Sequence, residues 1–144
     1  MRPVTGIKIL GLRLGIFLLA SYWIVLFAGT HLPSSTVIAP GLNDKSKHFG
    51  GYFVLTLLMC YVTHSNESKR FGSVLRFGGI AGILFLYGCL DEWSQKFARG
   101  RTPDVWDLLA DACGIAAAIV CYVIAKRILD GRRRQSLAVS NQTR

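Results

Sequence analysis

An all-α integral membrane protein, a small bundle of four transmembrane helices with both termini cytoplasmic, is the fold the sequence predicts. Three observations predict it. Hydrophobic residues make up 51% of the chain and the mean hydropathy is +0.39, richer than an ordinary soluble domain. The apolar residues gather in four runs, and Lys and Arg fall in short clusters between them. At 144 residues the chain is one domain by length.

The first run, Leu10 to Gly29, is long enough to span a bilayer and is interrupted only by Arg13 near its start. Arg2 and Lys8 ahead of it, and Phe27-Ala28-Gly29 near its end, also fit a cleaved signal peptide. Its length, with Tyr22 and Trp23 inside it, favours a retained helix. The second run, Phe49 to Val62, and the third, Phe77 to Leu90, hold 14 residues each. As helices these cover about 21 Å of a hydrocarbon core of about 30 Å, so neither crosses alone. Each is expected to borrow length from a polar flank, Lys45 to His48 before the second and Asp91 to Phe97 after the third. The fourth, Val105 to Ala125, is long enough but carries Asp107 and Asp111 in its first two turns. Residues 1–129 are thus expected to form the four-helix domain, and 130–144 a basic, disordered cytoplasmic tail.

Orientation follows from the excess of Lys and Arg that stays cytoplasmic. With the N-terminus inside, twelve basic residues lie on the cytoplasmic side: Arg2, Lys8, Arg13, Lys69, Arg70, Arg76, Lys126, Arg127, Arg132, Arg133, Arg134 and Arg144. Five lie outside: Lys45, Lys47, Lys96, Arg99 and Arg101. The formal charge of +9 is therefore read as a membrane signal with anionic lipid as partner, and nucleic acid is excluded because no folded basic face is indicated. Cys60, Cys89, Cys113 and Cys121 all lie in apolar runs and are expected to be reduced core thiols. Small residues four apart, Gly11 with Gly15 and Gly78 with Gly82, offer a weak signal for close helix approach.

Five of the eight acidic residues fall between 91 and 111, pressed between two apolar runs. A charge at the centre of a spanning helix is disfavoured by about 2.5 to 3.5 kcal/mol and less toward the interface, so several carboxylates together need partners. Residues three, four and seven apart share a helix face. Lys45, His48 and Tyr52 form one such row, and Asp104, Asp107 and Asp111 another that continues to Gly114. Gln95 lies four from Asp91 and three from Glu92, within reach of either. Candidate partners for the acids are Lys45, Lys47, His48, Lys96, Arg99 and Arg101, all at the same outer end. The bland alternative is that these groups staple short helices together by buried ion pairs, with Trp93 and Trp106 as interface anchors.

The stretches Asp44-Lys45-Ser46-Lys47-His48-Phe49-Gly50-Gly51-Tyr52, Asp91-Glu92-Trp93-Ser94-Gln95-Lys96-Phe97, and Arg99-Gly100-Arg101-Thr102-Pro103-Asp104-Val105-Trp106-Asp107 through Gly114 resemble the VanZ-like family of bacterial membrane proteins. The resemblance implies a multi-pass protein of the bacterial cytoplasmic (inner) membrane and cell envelope, in a family whose namesake is associated with antibiotic resistance, to teicoplanin. It carries over Lys45, His48, Tyr52, Asp91, Glu92, Gln95, Arg101 and Asp107 as characteristic residues. Asp111 departs from the pattern, which commonly has Asn there.

The leading functional expectation is a polar outer-face site that binds the head group of an envelope lipid or a lipid-linked cell-wall precursor. Its ligand-binding residues would be Lys45, His48, Tyr52, Asp91, Glu92, Gln95, Arg99, Arg101, Asp107 and Asp111, with Arg99 and Arg101 on phosphate. The alternative is a membrane enzyme acting on such a lipid, with His48 and a carboxylate in acid–base roles, or His48, Asp91, Glu92 and Asp111 around a divalent metal. No H-E-x-x-H, nucleophile elbow or Cys-x-x-Cys occurs, so the sequence itself assigns no metal site, cofactor or catalytic residue. A proton or ion path is a third reading, disfavoured because the cytoplasmic halves of the spans hold no polar relay beyond Arg13, Ser21 and Thr56.

Overall fold

The computed structural model describes residues 8–9, 12–32, 41–64, 70–98 and 100–142. It is a helical bundle. A two-residue antiparallel ladder, β1 (Lys8–Ile9) with β2 (Leu12–Arg13), leads into α1 (Leu14–His31). Then follow α2 (Asp44–Val62), α3 (Arg70–Ser94), a 3-10 turn (Gln95–Phe97) and α4 (Val105–Gln142). The first helix starts at Leu14, not Leu10, so that Arg13 belongs to the ladder that precedes it.

Three stretches are long and apolar enough to cross a membrane: Leu14–His31, Gly72–Phe97 and Val105–Leu137. The second helix, 19 residues, is not among them. Its first turn carries Asp44, Lys45, Lys47 and His48, the polar flank that the short apolar run takes in to gain length.

Local signals set the helix ends. Asn43 precedes α2 and its side chain accepts the Ser46 amide at 2.7 Å, satisfying one of the free N–H groups of the first turn. Past α3 the chain tightens into the 3-10 turn, closed by the Ala98 amide on the Gln95 carbonyl at 2.8 Å. Gly100, at φ +75°, then supplies the left-handed residue that reverses the chain. Asp104 caps α4, its Oδ1 accepting the Trp106 amide at 2.9 Å. Beyond the packed bundle α4 runs on through Asp130 to Gln142, where the composition had suggested a disordered tail. The side chains of residues 127–137 are exposed, and Arg, Gln and Leu there favour the helix without tertiary support.

The bundle is apolar outside and polar at one end inside. Ile24, Val25, Leu86, Leu90 and Val105 are more than 60% exposed, whereas His48, Asp91, Glu92, Gln95, Asp107 and Asp111 are buried. Water reverses that order in soluble proteins, while lipid around the helices accounts for it. Between these surfaces sits a core of Tyr52, Leu55, Cys60, Ile80, Leu84 and Ile115. All four cysteines are free; Cys60 belongs to that core, but Cys113 and Cys121 point outward, a correction to their reading as core thiols.

Of the two spaced pairs, Gly11 lies outside the described residues, while Gly15 does mark a close approach, an added Cβ there standing 3.2 Å from Tyr61 Cε1 and 3.3 Å from Val62 Cγ2 of α2. A Cβ at Gly78 or Gly82 would meet nothing within 4 Å, so that pair makes no contact. A Cβ at Gly114 would collide with the Phe49 carbonyl oxygen and come within 3.1 Å of the Phe53 amide nitrogen. At this point α4 lies directly on the α2 backbone. Gly51 likewise admits Leu26 of α1, whose Cδ1 would stand 2.6 Å from an added Cβ.

Candidate functional site: a buried polar network at one end of the bundle

Six of the eight acidic residues meet at the end where α2 and α4 begin and α1 and α3 finish. The predicted rows are present on α2 and α4, and they face each other. Lys45 Nζ donates to Asp104 Oδ2 at 2.8 Å and to Asp107 Oδ1 at 3.2 Å. One turn deeper, His48 Nδ1 and Asp111 Oδ1 are 3.0 Å apart, both nearly inaccessible. Tyr52, a turn further, is fully buried, and its hydroxyl has no partner among the described residues.

The end of α3 supplies the other carboxylates. Asp91 Oδ1 accepts the Thr30 hydroxyl of α1 at 3.0 Å and lies 3.7 Å from His31 Nδ1, while its Oδ2 has no partner among the described residues. His31 Nε2 is 2.9 Å from the Ser94 hydroxyl, a second tie between α1 and α3. Glu92 accepts twice, from the Gln95 side-chain amide at 3.3 Å and from the backbone amide of Asp104. Of the two carboxylates within its reach, Gln95 therefore takes Glu92. The Asp104 bond fastens the start of α4 to the end of α3.

Arg101, in the loop between the 3-10 turn and α4, reaches Asp44 Oδ2 at 3.0 Å and the Leu32 carbonyl at 3.4 Å. Lys96 stands apart from the acids, its Nζ 3.7 Å above the Trp93 ring. Arg99 lies outside the described residues. Trp93 and Trp106 are both mostly exposed at this end, as interface anchors require.

Beside the network lies a cavity of about 340 Å³ between α1 and α2. Val25, Leu26 and Leu42 give it an apolar wall, and Asp44, Lys47, His48, Tyr52 and Arg101 give it a polar one. Val25, 66% exposed, opens the apolar side to the outer surface of the bundle. Lys47 is the cation here with no carboxylate partner among the described residues, whereas Lys45 and Arg101 are both engaged.

Sequence reasoning missed Thr30, His31 and Asp44 as members of the network, placed Asp104 in the fourth-helix row but left it out of the ligand-binding set, and passed over Lys47 as a cavity residue. The α1 pair sits at the end of an apolar run, where no periodicity marks it. The acidic Asp44 could have been found as the first residue of the stretch that carries the α2 row.

The Asp104 carboxyl is held below the usual carboxylate range, first by the Lys45 hydrogen bond and then by the Trp106 amide. A group lowered in the folded state stabilises the fold above its unfolded value, about 4, and loses that contribution as pH falls through the folded value. Asp104→Asn is therefore expected to flatten the dependence of melting temperature on pH below about 4. An unchanged slope would mean that the Lys45 pair contributes nothing to folding.

The VanZ/LLP1 family matches residues 16–126. An uncharacterized protein of Schizosaccharomyces pombe, C11E3.10, is 27% identical over 118 residues, covering 81% of this chain and 70% of that protein. No solved structure matches the chain. The family match takes in most of α1 and α4, all of α2 and α3, and every residue of the polar network, and on that ground the chain belongs to the VanZ/LLP1 family.

Proposed function

We infer that this is a four-span membrane protein whose cavity receives the phosphorylated head group of a lipid at the outer membrane face. The observation that carries the reading is the two-sided cavity, apolar toward the bundle surface along Val25 and Leu26 and polar toward Lys47, His48 and Arg101. A lipid has that polarity. Its acyl chain would lie along α1 and its phosphate would meet Lys47, with Arg101 beside it.

The 19 residues of α2 span about 28 Å, close to the hydrocarbon thickness, so α2 is taken as the fourth span and both termini lie on the cytoplasmic side. The count of basic residues supports that orientation. A relative in Schizosaccharomyces pombe favours a head-group feature that many membranes share, a phosphate, over one peculiar to a bacterial cell-wall precursor. A role in glycopeptide susceptibility would follow only if the bound lipid were such a precursor.

The test is native mass spectrometry of protein released gently from its membrane. The parent is expected to carry a phospholipid that Lys47→Ala loses at least tenfold, and Lys96→Ala, which lies off the cavity, is expected to retain it. Equal retention in all three sinks the reading and leaves the network as a staple between helices.

A further inference from the structure

We propose that Asp44, His48 and Asp107 hold a divalent transition-metal ion at the mouth of the cavity. One carboxylate oxygen each from Asp44 and Asp107 and one ring nitrogen of His48 lie within 4.8 Å of one another. That spacing brings all three within reach of a single ion. Asp44 and His48 both line the cavity, and His48 and Asp107 are buried.

The state of His48 is the second, independent observation. Its ring is only 4% exposed, and Nδ1 is committed to Asp111 Oδ1 at 3.0 Å. A neutral imidazole that donates from Nδ1 carries its lone pair on Nε2, and Nε2 has no partner among the described residues. A histidine held by a carboxylate on one nitrogen with the other left free is the usual setting of a metal ligand, because the carboxylate fixes the tautomer and raises the basicity of the free nitrogen. Asp111 is then a positioning residue behind His48.

Charge points the same way. Asp44, Asp91, Glu92, Asp104, Asp107 and Asp111 crowd an end of the bundle where Lys45 and Arg101 are the cations paired to them. An added dication moves that balance toward neutrality. Lys45 keeps Asp104 at 2.8 Å if Asp107 turns to an ion, and Arg101 keeps the Leu32 carbonyl.

The donor set selects the metal class. One imidazole and two carboxylates suit Zn²⁺ or Mn²⁺, while Mg²⁺ and Ca²⁺ prefer oxygen alone. Three protein ligands leave a position for water or for an oxygen of a cavity ligand. The proposal rests on the ligand geometry and does not require the lipid reading.

Full-length protein in detergent, stripped with chelator and dialysed against Zn²⁺ or Mn²⁺, is expected to hold one ion per chain by elemental mass spectrometry. Titration calorimetry should show Mg²⁺ and Ca²⁺ at least tenfold weaker. Asp44→Asn, at the exposed first residue of α2, and Asp107→Asn should each weaken binding more than tenfold with helical content unchanged. Asp111→Asn should weaken it by about 10- to 100-fold, the usual effect of losing an orienting partner. Lys47→Ala should keep the ion even as it loses lipid, which separates failure of this site from failure of the lipid reading. Absence of stoichiometric metal in the parent, or binding indifferent to Asp44→Asn and Asp107→Asn, overturns the proposal.

Discussion

Gly114→Ala is expected to destabilise the bundle by about 1–3 kcal/mol, although the same change in an open stretch of helix stabilises it. The added Cβ would meet the Phe49 carbonyl and the Phe53 amide, which are backbone atoms of α2 and cannot rotate away. Relief requires α2 and α4 to separate, which disturbs the Lys45–Asp107 and His48–Asp111 pairs that cross the same interface. Gly78→Ala is the matched control. Nothing lies within 4 Å of its Cβ, so the loss of chain entropy in the unfolded state should leave it about 0.5–1 kcal/mol more stable. Unfolding in detergent micelles followed by circular dichroism compares the two. If both substitutions stabilise, the close contact of α2 with α4 is wrong.

His48→Leu is expected to cost about 3–5 kcal/mol in metal-free protein, because it leaves Asp111 buried with neither oxygen bonded. The size of that loss does not measure what the pair contributes. Replacing both partners removes the stranded charge, so His48→Leu with Asp111→Leu should recover most of the stability. A double variant as unstable as the single one would show that His48 matters for shape alone.

Much of the fold can be read from the chain because lipid imposes a simple rule: a helix must be long and apolar. The runs at Leu10, Phe49, Phe77 and Val105 each became a helix; the second gained length from the flank expected of it, and the third from its expected flank through Ser94 but also from residues 70–76 ahead of it, which were not expected to contribute. The polar rows could be read for a related reason. Charges at three- and four-residue spacing within apolar sequence have few solutions other than facing one another. Pairing within the rows could not be read, because it depends on the axial offset between helices. Arg101 takes Asp44, and Glu92 takes the Asp104 backbone, a partner that carries no signal in the side-chain sequence. Helix contacts were read only in part for the same cause: Gly15 of the first spaced pair does pack closely on α2, but Gly78 and Gly82 meet nothing, and only the packed bundle shows the contacts at Gly51 and Gly114.

The staple and the ligand site are not exclusive readings of the network. Thr30 with Asp91 and Asp104 with Glu92 bond across the helix ends and hold the bundle closed, while Gln95 steadies Glu92 from the next turn of its own segment. Lys47, Asp44 and His48 face the cavity instead. Substitutions in the first group should act on stability, those at Lys47 and Asp44 on what the protein binds, and those at His48, which also pairs with Asp111, on both.

If the bundle spans four times with its polar end at the outer face and both termini inside, cysteine labelling in intact cells will separate its two ends. Lys47→Cys and Gly131→Cys, made separately, are treated with a charged, membrane-impermeant maleimide before and after permeabilisation; the native thiols lie within the apolar helices. Lys47→Cys labelled in intact cells, with Gly131→Cys labelled only after permeabilisation, is the predicted result. Labelling of both positions from the same side would mean that α4 does not carry the chain across between the network and the tail, and would contradict the account.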